Sequence, residues 1–264
     1  MKIASLLTIF LLLTFVVSTK RIRCPEIQKE STNWRSGLAL TVAQLVPDDA
    51  IRSRLLSNKY TIMKYAEEPA SWNNTQSHTS KNLLDNVKYS YDALIDAMNK
   101  NNWTLISMRF GVLSHWIGDC ADPFSLTNNI SIDYYCIYEE FLDMWSEDIF
   151  TGILEKSSTL ELKEADNITK TVDSLMRCTE QKYKSIIEAI DKNDTALLLS
   201  HVEYLAEEAT KTLYAITISA IKRSELATSM RVLERWRWVA IAMILLSVII
   251  IIASEIKKKI ARRL

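Results

Sequence analysis

Glycine and proline are scarce in this chain, with four of each among 264 residues. No Asn-Gly or Asp-Gly pair occurs, so the tight turns of hairpin-rich folds are missing. No Gly-rich loop of the kind that cradles nucleotide phosphates is present. No C-x-x-C pair occurs, which argues against thiolate zinc modules and leaves disulfides as the better use of four cysteines in an exported chain. Net charge is absent as well, with 32 Lys and Arg against 32 Asp and Glu. Histidine is rare, at three residues.

What the chain does have is apolar residues at steps of three and four almost throughout, the period of helices that bury one face. The pattern predicts helices over 34–46, 48–58, 80–100, 102–120, 133–156, 158–192 and 194–236, several preceded by a Ser, Thr, Asp or Asn cap. Residues 59–79 read as irregular, and a second loop is expected over 121–133. No internal repeat or low-complexity segment is found. The fold class is all-α.

Both ends carry targeting signals. Lys2, an apolar run over residues 3–17 and the small pair Ser18 and Thr19 read as a secretory signal peptide, residues 1–19. Near the other end, residues 238–254 are free of charge, long enough for a slightly short membrane-spanning helix. Trp236 and Trp238 stand where an interfacial aromatic belt belongs. Lys257, Lys258, Lys259, Arg262 and Arg263 follow, which places the C-terminus in the cytoplasm. The expected organisation is an ectodomain over 20–236, a transmembrane helix over 237–255 and a basic tail over 256–264: a single-pass cell-membrane protein with its mass outside.

The two ends hold 7 Lys and Arg and one Asp or Glu, which leaves residues 20–236 with 25 against 31, a net charge of −6. An acidic surface is a poor footprint for nucleic acid backbones, so no nucleic acid partner is expected. Five N-x-S/T sequons, at Asn73, Asn102, Asn129, Asn167 and Asn193, mark candidate surface glycosylation sites. Cys24, Cys120, Cys136 and Cys178 also lie in this part, and an even number favours two disulfides with three possible connectivities.

The chemistry-bearing stretch is LSHWIGDCADPFS, residues 113–125. His115 and Asp119, at i and i+4, project from one helical face and are close enough to share a cation. A buried hydrogen-bonded pair is the alternative. Glu139 lies on the next predicted helix and His78 in the loop ahead, and helices meeting across a core can gather such groups around a metal. A solvated loop and a solvated helix face are the plain readings of these last two. His201, in the last predicted helix, has no assigned role.

HWIGD followed by CADP resembles the H-x-x-x-D…P signature of the zinc-dependent phospholipase C and single-strand nuclease superfamily, whose members are all-α, exported and bind three zinc ions that hydrolyse phosphate esters. The resemblance runs over roughly residues 34–145. YAEEPASWNNTQSH is similar to the family's loop that supplies an aspartate and then a histidine ligand. NKNNWTLISMRFGVLSHWIGD resembles the helix that leads into the signature, and YYCIYEEFLD the H-x-x-x-E segment. Carried over position by position, His78, His115, Asp119 and Glu139 stand where family metal ligands stand. Other positions depart: Ser125 and Tyr135 replace histidines, Gly37 takes the place of an early histidine, and Tyr65 takes that of the loop aspartate. Trp34 is near the place of the family's N-terminal Trp, but signal cleavage leaves it internal.

The resemblance therefore implies at most one zinc, held by His78, His115 and Asp119. Tyr135 is a poor donor beside Glu139, because a phenol with a pKa of about 10 stays protonated at neutral pH. One zinc can still lower the pKa of a bound water to about 7, with Glu67, Glu68 or Glu139 as the base. It also implies that Cys120, after Asp119, and Cys136, after Tyr135, flank one cluster and can form a disulfide, leaving Cys24 with Cys178. The functional expectation is a membrane-anchored extracellular phosphoric ester hydrolase, with phospholipid head groups as substrate. The alternative is a non-catalytic cell-surface binding or envelope protein on the same helical scaffold.

Overall fold

The computed structural model describes residues 34–67, 80–127 and 132–224, with isolated positions between 232 and 247. The expected signal peptide, basic tail and nearly all of the expected membrane span lie outside these residues. Among the described residues, no helix is long and apolar enough to cross a membrane. Contacts divide the chain into Met1–Ser31, outside the described part, and Thr32–Leu264, which holds every helix below.

All regular structure among the described residues is helical: α1 Trp34–Leu45, α2 Asp49–Ser57, α3 Lys59–Glu67, α4 Ser80–Asn99, α5 Trp103–Cys120, α6 Ile132–Glu155, α7 Ile168–Asp191 and α8 Thr195–Arg223, with a single 3₁₀ turn at Ser157–Thr159. Helix α1 is apolar on nearly every side and buried over most of its length, as befits a helix at the centre of a bundle. It packs against α2, α3, α5, α6 and α8. Helix α5 is the second central element, buried from Phe110 to Cys120 and flanked by α3 and α4.

Two helical hairpins share one turn. In Lys100-Asn101-Asn102, Asn101 sits at φ 48° while the Asn102 N–H reaches back to the Ala97 carbonyl at 3.3 Å. In Lys192-Asn193-Asp194, Asn193 sits at φ 49° and the Asp194 N–H reaches the Ala189 carbonyl at 2.9 Å. Asparagine tolerates this left-handed conformation better than most residues, so it ends a helix well. The next side chain then caps the following helix: Asn102 accepts from the Leu105 N–H and Asp194 from the Leu197 N–H. This antiparallel return is how α4 meets α5 and α7 meets α8.

Two expectations are corrected. Residues 59–67 form helix α3, although the segment over 59–79 reads as irregular; its buried faces, Ile62 and Ala66, settle onto α5. The single helix expected over 158–192 is interrupted. Residues 160–167 run as a non-helical strap with Ala165 buried and its N–H given to the Ala215 carbonyl at 3.2 Å. Helix α7 starts only where Asn167 caps it through the Lys170 N–H. The last helix ends at Arg223, with Ser224 extended beyond it.

Three glycines mark close approaches. A Cβ on Gly111 would lie 2.5 Å from the Ile62 carbonyl oxygen, and one on Gly37 2.4 Å from the Phe150 ring. On Gly118 it would meet the Cγ of Arg35 at 3.0 Å. Gly152, in α6, has no neighbour within 4 Å of that position. Helical Gly with open space costs about 0.5–1 kcal/mol relative to Ala. Gly152→Ala is therefore expected to raise the thermal midpoint by roughly 2 °C, read by differential scanning calorimetry.

Candidate functional site

The two residues at the centre of the signature meet as expected. His115 and Asp119 project from the same face of α5, both fully buried, with Nε2 of the imidazole 3.4 Å from Oδ2 of the carboxylate. The Nδ1 atom lies 2.8 Å from the carbonyl oxygen of Ala66 on α3. A carbonyl only accepts, so Nδ1 carries the proton and Nε2 is the atom turned toward Asp119.

A cation from elsewhere completes the group. Arg35 of α1 donates to Oδ1 of Asp119 from Nε at 2.8 Å and Nη2 at 2.7 Å. Its aliphatic stem crosses Gly118, whose missing side chain opens the path. That contact accounts for the glycine between His115 and Asp119. Burial works against the guanidinium's charge, yet Asp119 and then Asp122 outweigh it and hold its pKa above the ordinary arginine value.

Asp122 is a second buried carboxyl, 3% exposed. Its Oδ1 accepts from the Phe124 N–H at 2.9 Å and its Oδ2 from the Ser125 hydroxyl at 2.7 Å. Burial pushes its pKa up to about 6, with Ser125, Arg35 and the Phe124 N–H pulling it back. A carboxyl whose pKa is higher folded than unfolded contributes stability below about pH 4 that is lost as pH rises through about 6. The wild-type stability advantage over Asp122→Asn is therefore expected to shrink between pH 4 and 7, measured by urea melts of both proteins across that range.

The remaining positions inherited from the resemblance are used differently. Ser125 serves Asp122. Tyr135 donates to Glu139, and its phenol is pushed up to about 12, first by burial and then by the Glu139 charge. It is a donor to a carboxylate, not a metal ligand. Gly37 lies so tightly on Phe150 that a histidine there has no room unless the ring moves. Glu139 is half-buried and contributes its field to Arg35. Glu67, at the exposed end of α3, accepts the Ser36 hydroxyl at 2.5 Å. His78 and Glu68 lie outside the described residues.

The expected bridge between Cys120 and Cys136 is not formed. Cys120 is sealed in the core, its thiol pushed far above the ordinary cysteine range by burial and then by Asp119, while Cys136 points outward from α6. Cys178 is also a free thiol and accepts the Tyr204 hydroxyl at 3.8 Å; its expected partner Cys24 lies outside the described residues. Of the sequons, Asn102, Asn167 and Asn193 are exposed, and Asn73 and Asn129 lie outside the described residues.

No protein-family model matches the chain, and no curated protein matches it.

The donor set fits a zinc ion in one respect and not in others. The 3.4 Å between His115 Nε2 and Asp119 Oδ2 is the separation of two ligands on a tetrahedral ion with bonds of about 2.1 Å. The other oxygen of that carboxylate, however, already holds a guanidinium, so an ion would sit beside a fixed positive charge. Among the described residues, no three His, Cys, Asp or Glu side chains gather as a metal-holding group, and His78, the expected third ligand, lies outside them. Arg35 and Asp122 are the two members of the cluster that the sequence reading missed. Arg35 is the only charged residue in α1, and a lone Arg in an otherwise apolar helix calls for an acidic partner.

Proposed function

We propose that this chain is a non-catalytic, membrane-anchored cell-surface protein that keeps a phospholipase C-like helical scaffold for binding. The observation that carries the reading is the seat of Arg35 on Asp119, beside Asp122 and Glu139. A cation built into the chain neutralises the carboxylate that a catalytic ion would need. Around it the substituted positions satisfy one another, Ser125 with Asp122 and Tyr135 with Glu139. Such a cluster has a side-chain cation where a catalytic zinc would supply the positive charge, which weighs against a metal at Asp119. The anchoring and export rest on the signals at the two ends of the sequence.

A one-zinc hydrolase of phosphate esters is the second reading. It is favoured by the ligand-like spacing of His115 and Asp119, and by the Ala66 carbonyl that orients the imidazole as a backbone group often does for a ligating histidine. Elemental analysis of the purified full chain separates the two. The binding reading expects no stoichiometric zinc and no release of p-nitrophenol from p-nitrophenylphosphorylcholine. About one zinc per chain, lost on His115→Ala, together with hydrolysis, would overturn it.

A further inference from the structure

The apolar surface of helix α6 extends beyond the side that faces the core. Tyr138, Leu142, Ile149 and Ile153 face the core. On the outer side, Ile137 is 47% and Met144 68% exposed. Phe141 and Trp145, half-buried and packed against the core, stack ring on ring at 6.1 Å and carry the apolar surface from the core edge out to this line. Positions 137, 141 and 144 follow the i, i+4, i+7 line along which one helix anchors in another. Single exposed apolar residues are ordinary, but a line of them at helical spacing is not.

The flank of this line is acidic. Glu140, Asp143, Glu147 and Asp148 are all exposed, α6 contains no Lys or Arg, and among the described residues none of the four forms an ion pair with a cation. We infer that the outer face of α6 is a docking surface for a basic amphipathic helix of a partner protein. Its apolar side would cover Ile137, Phe141 and Met144 while its Lys or Arg side chains meet the carboxylate row. Charge complementarity chooses this occupant. A second copy would set acid against acid, and an anionic bilayer would be repelled in the same way. The inference deepens the binding reading above by giving the partner's chemistry, and it rests on that reading.

The test uses the full chain in detergent and three helical peptides of about 20 residues: one with a Leu seam and Lys flanks, one with the same seam and Glu flanks, and one with Lys flanks and Ser in the seam. Titration calorimetry is expected to show the Leu/Lys peptide binding at least about tenfold more tightly than either other. I137S/M144S should remove that advantage, and E140K/D143K/E147K should transfer it to the Leu/Glu peptide. E161Q/D166N, which removes charge elsewhere, should leave it intact, and circular dichroism should show every variant as helical as the wild type. Equal binding of the Leu/Lys and Ser/Lys peptides would overturn the inference. So would a homodimer that I137S/M144S dissociates, or a partition into phosphatidylcholine vesicles that the same pair abolishes. Zinc content and hydrolysis are read separately on the same samples: zinc at His115 with hydrolysis and normal peptide binding sinks the non-catalytic reading alone, and zinc-free, inactive protein without peptide selectivity sinks the docking surface alone.

Discussion

Arg35→Met is expected to destabilise the protein by about 3–5 kcal/mol, the cost of leaving a buried charge without its partner, and to lower the thermal midpoint by on the order of 10 °C. Asp119 is fully buried and its Oδ1 takes two guanidinium donors. Methionine fills the space of the arginine stem over Gly118 but returns nothing to that oxygen. The carboxylate must then be protonated, be hydrated or disrupt the core. Removing both charges should be far milder. Arg35→Met with Asp119→Leu is expected to recover most of the loss, because the desolvation of two ions disappears along with their attraction. Urea melts of the two single variants and the double variant measure the coupling. A loss under about 1 kcal/mol for Arg35→Met, the range of solvent-exposed pairs, would show that the guanidinium is hydrated and not the internal cation described above.

Gly111→Ala should cost about 2–3 kcal/mol through overpacking, and its effect should reach His115. A methyl group there would lie 2.5 Å from the Ile62 carbonyl oxygen and 3.1 Å from the Ala66 nitrogen. Both are backbone atoms, so α3 must shift as a body instead of one side chain turning aside. Helix α3 carries the Ala66 carbonyl that holds Nδ1 of His115. Pushing it outward stretches that bond, and the buried imidazole N–H is expected to exchange with water faster in the variant than in the wild type by NMR. Gly152→Ala serves as the control, since its helix position is open. Wild-type stability and exchange in Gly111→Ala would mean that α3 and α5 do not approach as closely as described.

The all-helical fold and five helix positions could be read from periodicity and caps, because α1, α2, α4, α5 and α6 begin and end where their apolar faces do. Helix α3 was hidden by its short length and by the Pro and Asn residues that follow it. The strap over 160–167 was hidden because Leu160, Leu162 and Ala165 continue a plausible apolar pattern although Asn167 restarts the helix. In the site, the pairing of His115 with Asp119 is local, one helical turn, and spacing alone reveals it. Arg35 stands 84 residues from Asp119, and no local pattern joins them. Asp122 reads as a turn residue before Pro123, which it is, since it accepts from the Phe124 N–H. That the turn is buried follows only from tertiary packing, in which Phe124 meets Tyr138 of α6 and Tyr183 of α7.

The caps on α5 and α7 bear on how glycosylation at the candidate sequons should be tested. Asn102 and Asn167 hold their helices through Oδ1, whereas an N-linked glycan attaches at Nδ2, so one side chain can do both. Mutating these asparagines to erase a glycan would also fray a helix, by about 1 kcal/mol each. Asn193, in the left-handed region, carries a similar hidden cost. Replacing Thr104, Thr169 or Thr195 deletes the same acceptor sequences while leaving each asparagine in place, so a loss of apparent mass on these variants reports a glycan without disturbing the cap.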